Sequence, residues 1–204
     1  MSNTGKAVVR ATEDSEREHE GADSDTDTDV DHDADPDVDY DTDILAALAF
    51  NADRTDDSVL WYRYITVRAD AKGGALGPRL AIFVATRAAE RGYERLRIAV
   101  NNPFAYEAMY KAGFAWTGEE TGVAELVLER PTVQDSAAPM TPARPRSARA
   151  TETYQSGLDR YRERDLDDPE VSFLRDRIGS DPPQRIDSKP PQCAEPPARR
   201  NPED

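Results

Sequence analysis

The stretch "DAKGGALG", residues 70–77, places three glycines directly before an apolar run that predicts a helix. A glycine-rich loop between a strand and a helix presents backbone N–H groups at the positive end of the helix dipole. This arrangement is suited to binding phosphate groups. The spacing matches neither the Walker pattern G-x-x-x-x-G-K-[ST] nor the Rossmann pattern G-x-G-x-x-G, so by itself the loop does not identify the ligand.

A second set of chemically active groups lies upstream, where every odd-numbered residue from Asp23 to Asp43 is aspartate. Carboxylate oxygens bind calcium, but an EF-hand loop needs a glycine at its sixth position and a glutamate at its twelfth, and this run has neither. Self-repulsion among the aspartates opposes compaction. We therefore interpret residues 1–43 as a disordered, Asp-rich leader that carries no metal.

The elements that must position the glycine loop lie in residues 44–130. "ILAALAF" and "LWYRYITVRA" predict an antiparallel strand pair. "PRLAIFVATRAAERG" predicts a helix because Leu80, Val84 and Ala88 recur at helical spacing, with Pro78 in the first turn and Gly92 at the end. "LRIAV" then predicts a strand, "PFAYEAMYKAG" a helix from Asn102 and Pro103 to Gly113, and "FAWTG…VAELVLE" a last strand pair.

The C-terminal segment, residues 131–204, contains most of the fifteen prolines and is predicted to lack a packed core for most of its length. Two short helices are expected within it, at 152–166 and 169–178. In the first, Tyr154, Leu158 and Tyr161 form a narrow apolar stripe. The second has Asp168 as a cap and Pro169 at the first helical position. The apolar stripes of these helices could pack on the middle domain, pair with another subunit in a homodimer, or remain in solvent.

Two segments resemble the signatures of the GNAT N-acetyltransferases. "VRADAKGGALG" is similar to the V-x-P-x-x-R-G-x-G-x-G segment of that family, where Val67, Lys72, Gly73 and Gly77 match and Ala69 and Ala75 depart. "NNPFAYEAMYKAGF" resembles the second signature, N-x-x-A with a terminal G-F, through Asn102, Ala105, Gly113 and Phe114. The resemblance implies an α/β (α+β) fold of the acyl-CoA N-acyltransferase type, a mixed sheet with flanking helices.

The resemblance also implies roles for individual residues. Acetyl-CoA would be the co-substrate and an amine of a small molecule or protein the acceptor, attacking the thioester directly. The strand ending at Val67 would separate from "LRIAV" to admit the pantetheine arm, and a backbone N–H near Ile65 to Val67 would polarise the thioester carbonyl. Asn102 would hydrogen-bond the cofactor. The pyrophosphate would be bound by Lys72, Gly73, Gly74, Ala75, Gly77 and Arg79.

The sequence departs from the family at the expected proton donor. The family commonly has a tyrosine four residues before the G-F glycine, where it protonates the departing thiolate, and this chain has Met109 there. Tyr110 is the candidate acid if the helix is shifted; the alternative is that Tyr106 and Tyr110 only pack. No general base is evident: His19 and His32 lie in or beside the leader, and the carboxylates near the site are hairpin residues (Glu119, Glu120 and Glu125).

The family also has a first strand and two helices that build much of its acceptor pocket, and the aspartate run stands in their place. A catalytically impaired module that binds acyl-CoA or a protein partner is therefore the alternative function. Cofactor binding would survive such a loss better than acceptor selection would.

Composition limits the remaining function classes. The net charge of −15, with four lysines against twenty-two arginines, resembles proteins of organisms that keep molar salt in the cytoplasm. An acidic surface argues against nucleic acid as a partner. No stretch approaches a membrane helix or a signal peptide, and Cys193 is the only cysteine. We expect a cytoplasmic protein without membrane, metal or nucleic-acid partners.

Overall fold

The computed structural model describes residues 4–11, 43–133 and 146–186. In chain order, these residues form β1 (Gly5–Arg10), β2 (Ile44–Ala52), β3 (Val59–Val67), α1 (Leu76–Glu90), β4 (Arg95–Val100), α2 (Pro103–Lys111), β5 (Ala115–Glu120), β6 (Leu126–Pro131), α3 (Arg146–Arg162) and α4 (Asp168–Arg175). A short 3-10 turn, Ala69–Ala71, joins β3 to the glycine loop. The α/β fold class with a mixed sheet and flanking helices is confirmed.

The six strands form one sheet in the order β1-β2-β3-β4-β6-β5. Neighbouring strands are antiparallel except β3 and β4, which are parallel and are connected through α1. The antiparallel pair β2–β3 and the last pair β5–β6 were both predicted. The parallel β3–β4 pair matters for the site, because the glycine loop and the start of α1 lie at the carboxyl end of β3.

The helices share one hydrophobic core with one face of the sheet. Alternation along β4 buries Leu96, Ile98 and Val100 toward that core. Arg95 and Arg97 alternate with them and lie on the opposite face, where Arg97 donates to Glu129 at 2.6 Å. Tyr62 of β3 is 1% exposed, and its hydroxyl donates to the carbonyl of Ala81 in α1 at 2.9 Å. This contact fixes the helix that follows the glycine loop against β3.

The residues that were predicted to start and end α1 and α2 lie at the ends of these helices. Gly92 follows the end of α1 with a φ of 87°, a left-handed conformation that stops the helix. Asn102 is the N-cap of α2: its side chain accepts from the amide of Ala105 at 2.8 Å, and Pro103 begins the helix. Gly113 ends it with a φ of 90°. α1 begins at Leu76, so Pro78 is its third residue.

The expectation that residues 1–43 form no structure was wrong for Gly5–Arg10. This segment is an edge strand, antiparallel to β2, with Ala7 opposite Leu48 and Val9 opposite Ala46. Only two of its residues, Ala7 and Val9, pack against the core as hydrophobic side chains, which is too short a pattern to recognise in the sequence. Residues 12–42, including most of the aspartate run, lie outside the described residues.

The predicted limit of the folded domain at residue 130 was also wrong. Tyr154, Leu158 and Tyr161 form the predicted stripe on α3 and are 0–1% exposed within the common core. α3 begins at Arg146, earlier than predicted, and α4 is capped by Asp167, whose side chain accepts from the amide of Glu170 at 3.0 Å. The middle domain is thus the partner of the C-terminal stripe, and α3 and α4 belong to the folded unit.

Candidate functional site

The glycine loop leads directly into α1 and leaves amides at its N-terminus. Gly73 and Ala75 have φ values of 91° and 58°, so the chain turns sharply before the helix. The first internal bond of the helix runs from the amide of Arg79 to the carbonyl of Ala75 at 3.0 Å. The amides of Leu76 and Gly77 precede it, in the turn where a helix offers no carbonyl partner, and Pro78 has no N–H. These amides are donors placed for an anion.

The first turn of α1 rests on the end of β3. A Cβ atom added to Gly77 would lie 3.3 Å from Cγ2 of Val67 and 3.8 Å from Cδ1 of Ile65. Gly77 is buried, whereas Gly73 and Gly74 are exposed. The structure therefore brings together Ile65, Val67 and Gly77, three of the residues that the resemblance assigned to the cofactor. Absence of a side chain at Gly77 lets the helix approach the strand this closely.

Beside this contact, β3 and β4 separate. Their parallel pairing runs from Val59 and Arg95 only to Tyr62 and Ile98, although β3 continues to Val67 and β4 to Val100. The β2–β3 register shifts at the same point: Phe50 faces Tyr62 and Ala49 faces Tyr64, which leaves Arg63 as a bulge. Beyond the bulge the backbone of β3 has no β4 partner. The separation expected from the resemblance is present, and it opens toward the glycine loop.

The charges around the loop favour an anion. The segment 67–79 contains Arg68, Lys72 and Arg79 but only one carboxylate, Asp70. Arg68 donates to Asp70 at 2.7 Å, and this hydrogen bond lowers the pKa of the Asp70 carboxyl. Lys72 and Arg79 are exposed. In a chain with a net charge of −15, the loop is a local concentration of positive charge.

Asn102 lies at the end of β4, near the site, but its side-chain oxygen is already used. The oxygen accepts from the amide of Ala105, and the side-chain nitrogen donates to the side chain of Asn101 at 3.0 Å. Capping of α2 is therefore a sufficient reason for an asparagine at this position of the second signature, without a contact to a ligand. A contact between Asn102 and a cofactor remains a prediction.

Tyr110, the candidate acid, lies inside the core. Its side chain is 6% exposed and packs on Tyr154, with the ring centroids 4.9 Å apart. Its hydroxyl accepts from the amide of Trp116 at 3.1 Å and from the Tyr106 hydroxyl at 3.2 Å. Burial raises the pKa of the phenol. Tyr110 therefore joins α2 to β5 and α3, and this geometry favours the packing interpretation over the assignment of Tyr110 as the acid.

The other candidate acid–base groups do not converge on the loop. Met109, which stands where the acid was expected, has no proton to donate and is 1% exposed in the core. Glu120 pairs with Arg160 at 2.6 Å, and Glu119 lies 3.7 Å from Arg97. His19 and His32 fall outside the described residues. The site thus offers backbone amides, cations and an open cleft, but no side chain placed for proton transfer among these candidates.

Two residues near the site were not predicted to act there. The Tyr161 hydroxyl of α3 donates to the carbonyl of Val100 at 3.0 Å, and Arg164 donates to the carbonyl of Asn101 at 3.3 Å. The sequence identified Tyr161 only as part of the apolar stripe. No local pattern relates residue 161 or 164 to β4, because this contact depends on how α3 docks.

Within residues 4–11, 43–133 and 146–186, no helix is long and apolar enough to cross a membrane. The same part of the chain contains no group of three or more His, Cys, Asp or Glu residues that could hold a metal ion.

Solved structures of N-acetyltransferases are similar to part of this chain. Nourseothricin acetyltransferase is 22% identical and matches 45% of this chain and 59% of its own, with a TM-score of 0.41. The PaiA N-acetyltransferase of Thermoplasma acidophilum, solved in complex with coenzyme A, is 14% identical over 44% of this chain and 54% of its own, with a TM-score of 0.39.

A GCN5-related N-acetyltransferase from Kribbella flavida is 20% identical over 44% of this chain and 61% of its own, with a TM-score of 0.39. The chain spans less than two thirds of the length of each of these three structures. No protein-family model and no curated protein matches the chain.

Proposed function

We propose that this protein is a GNAT-type acyltransferase that transfers an acetyl group from acetyl-CoA to an amine. One observation carries the proposal: the pairing of β3 and β4 ends at Tyr62 and Ile98, and the resulting cleft opens beside the amide-rich start of α1. A phosphate site and an extended slot are therefore adjacent. A ligand that joins a pyrophosphate to a long, narrow arm fits such a pair of sites.

In this proposal each part of the ligand has a partner among the residues present. The pyrophosphate takes the amides of Gly73 to Gly77, with Lys72 and Arg79 supplying positive charge. The pantetheine arm runs along the unpaired edge of β3. An amide between Ile65 and Val67 then donates to the thioester carbonyl as negative charge develops on its oxygen.

The proposed reaction needs no covalent enzyme intermediate. The amine nitrogen attacks the thioester carbon, a C–N bond forms, and the C–S bond breaks to release coenzyme A; the amine loses one proton and the departing sulfur gains one. Positioning of the two reactants supplies most of the rate enhancement. Because Tyr110 is held in the core, we assign both proton transfers to water at the open cleft.

The acceptor is an amine of a small molecule or of a protein, and the site acts in the cytoplasm. A second candidate function is a module that binds acyl-CoA or a protein partner without turnover. The observation that favours it is that Met109, at the expected position of the acid, has no proton to donate, and that Tyr110 is buried in the core, away from a thiolate in the cleft.

Free-thiol release from acetyl-CoA over a panel of amines distinguishes the two functions. The Cys193→Ser variant is the background, because Cys193 is the only cysteine and its thiol would react with the detection reagent. Amine-dependent thiol release supports the transferase. Acetyl-CoA binding without amine-dependent release over small amines, polyamines and lysine peptides supports the binding module. Absence of acetyl-CoA binding contradicts both the transferase and the acyl-CoA-binding form of the module.

A further inference from the structure

The C-terminal helix α3 reaches the wall of the cleft through Tyr161. The ring of Tyr161 is fully buried, and its hydroxyl donates to the carbonyl of Val100, the last residue of β4. Val100 also pairs with Leu126 of β6. On its other side the end of β4 has no pairing with β3. The end of β4 is therefore hydrogen-bonded to only one neighbouring strand, β6, and the Tyr161 hydroxyl provides a second contact that fixes it.

Arg164 extends this attachment to the next residue and to the β5–β6 turn. Its guanidinium lies 4.5 Å from the centre of the Tyr161 ring. One nitrogen donates to the carbonyl of Asn101 at 3.3 Å and another donates to the carbonyl of Ala124. A planar guanidinium can bridge two carbonyls in fixed directions, which a lysine ammonium on a flexible stem does less well.

Tyr161 and Arg164 thus donate to the carbonyls of Val100 and Asn101. The next residue, Asn102, is the N-cap of α2. The cleft wall opposite β3 and the start of α2 thus depend on contacts from α3 and from the turn that follows it, both outside the two signature segments. We propose that Tyr161 and Arg164 are positioning residues of the cleft, which fix the end of β4 and thereby set the affinity for acetyl-CoA. This inference rests on the proposed function.

A purely structural role for α3 is the competing explanation, because α3 also packs deeply elsewhere. Tyr154 provides the matched control. It lies on the same helix, is 1% exposed, and its hydroxyl donates to Glu107 at 3.3 Å, in a contact between helices instead of one with β4. Tyr154→Phe and Tyr161→Phe each remove one buried hydroxyl from α3, and only Tyr161→Phe releases the cleft wall.

The test compares the full chain with Tyr161→Phe, Tyr154→Phe, Arg164→Met and Arg164→Lys. Calorimetry gives the Kd for acetyl-CoA, kinetics give KM and kcat, and thermal unfolding gives stability. We expect Tyr161→Phe and Arg164→Met to raise the Kd and KM for acetyl-CoA by about three- to tenfold with kcat within about twofold. Arg164→Lys should recover part of the loss, and Tyr154→Phe should leave Kd unchanged even where it lowers the melting temperature.

Two results would overturn the inference while leaving the proposed function intact: an unchanged Kd in both Tyr161→Phe and Arg164→Met, or an equal loss of affinity in Tyr154→Phe. Failure of the wild-type chain to bind acetyl-CoA is a different result, because it removes the proposed function and this inference together.

Discussion

A Cβ atom built on Gly77 would lie 3.3 Å from Cγ2 of Val67, so the helix that follows the glycine loop begins in direct contact with the strand that borders the cleft. The contact sets the distance between the helix amides and the open edge of β3. A larger side chain at residue 77 must displace α1 or enter the cleft.

We therefore expect Gly77→Glu to weaken acetyl-CoA binding by about 100-fold or more, since its carboxylate would enter the proposed site of the pyrophosphate. Gly77→Ala should cost only a few-fold, because a neighbour that moves by a few tenths of an ångström accommodates a methyl group. Gly122→Glu is the control: it adds the same charge in the β5–β6 turn, where a Cβ atom built on Gly122 would meet no atom within 4 Å. Calorimetry measures all three, and equal affinities for Gly77→Glu and Gly122→Glu would refute the placement of the site.

Ala75 adopts a φ of 58° at the cap of α1, a conformation that is unfavourable for a residue with a Cβ atom. Ala75→Gly should raise the free energy of unfolding by about 0.5–1 kcal/mol, as measured by chemical denaturation. Ala89→Gly, near the end of the same helix, should instead lower it by about 1 kcal/mol. A loss of stability in Ala75→Gly would argue against the left-handed loop.

Tyr110→Phe tests whether the buried phenol takes part in chemistry. The Trp116 amide would lose its acceptor, so we expect the free energy of unfolding to fall by about 1 kcal/mol while kcat stays within about twofold. Steady-state kinetics and denaturation of the same preparation provide both numbers. A fall in kcat of an order of magnitude or more, with an unchanged KM, would instead return Tyr110 to the role of acid.

Gly157 lies in α3 against the Tyr106 side chain, and an added Cβ atom would lie 2.0 Å from the Tyr106 hydroxyl oxygen. Replacement of glycine by alanine inside an exposed helix usually stabilises by up to about 1 kcal/mol. Here we expect Gly157→Ala to destabilise by about 1–3 kcal/mol, because the clash is with a fully buried ring. The exposed Ser156→Ala should change stability little, and a stabilising Gly157→Ala would show that α3 does not dock as described.

Glu107 connects α2 to the segment after α4. Arg177 donates to both of its oxygens, and Lys111 lies 2.9 Å from Oε1. Burial alone would raise the pKa of Glu107, but the hydrogen bonds from Arg177 and Lys111 outweigh burial and lower the pKa below its ordinary value of 4.5. A lowered carboxyl pKa stabilises the fold above pH 4.5, and this stability is lost as the pH falls through the folded-state pKa.

Glu107→Gln should accordingly lower the free energy of unfolding at pH 7 by about 2 kcal/mol. The difference from wild type should shrink as the pH falls below 4.5. Glu90→Gln, which breaks an exposed pair with Arg87, should cost less than about 0.5 kcal/mol at either pH. A difference between wild type and Glu107→Gln that does not change with pH would contradict this assignment.

The sequence was informative wherever a short-range rule decides the structure. The spacing of Leu80, Val84 and Ala88 predicted α1, and Asn102 with Pro103 predicted the start of α2, because periodicity and capping act within one or two turns. The glycine loop was recognisable for the same reason. The separation of β3 from β4 was expected only through the family resemblance.

Features that depend on long-range packing could not be predicted in this way. β1 is stabilised by pairing with a strand more than thirty residues away, and its own pattern is too short to read. A tyrosine such as Tyr110 can act as a general acid, so its residue type fits a catalytic role. Only the packing of α3 and β5 around it shows that its hydroxyl accepts from the Trp116 amide in the core. The contact of Tyr161 with Val100 spans 61 residues and has no local signal.

We propose that acetyl-CoA binds between the glycine loop and the β3–β4 cleft. Isothermal titration calorimetry of the full chain with acetyl-CoA, in concentrated salt suited to its acidic composition, tests it most directly, with Gly77→Glu titrated alongside. We expect one binding site in the wild-type chain and no measurable heat in Gly77→Glu. Absence of binding by the wild-type chain, or equal binding by a folded Gly77→Glu variant, would contradict the claim.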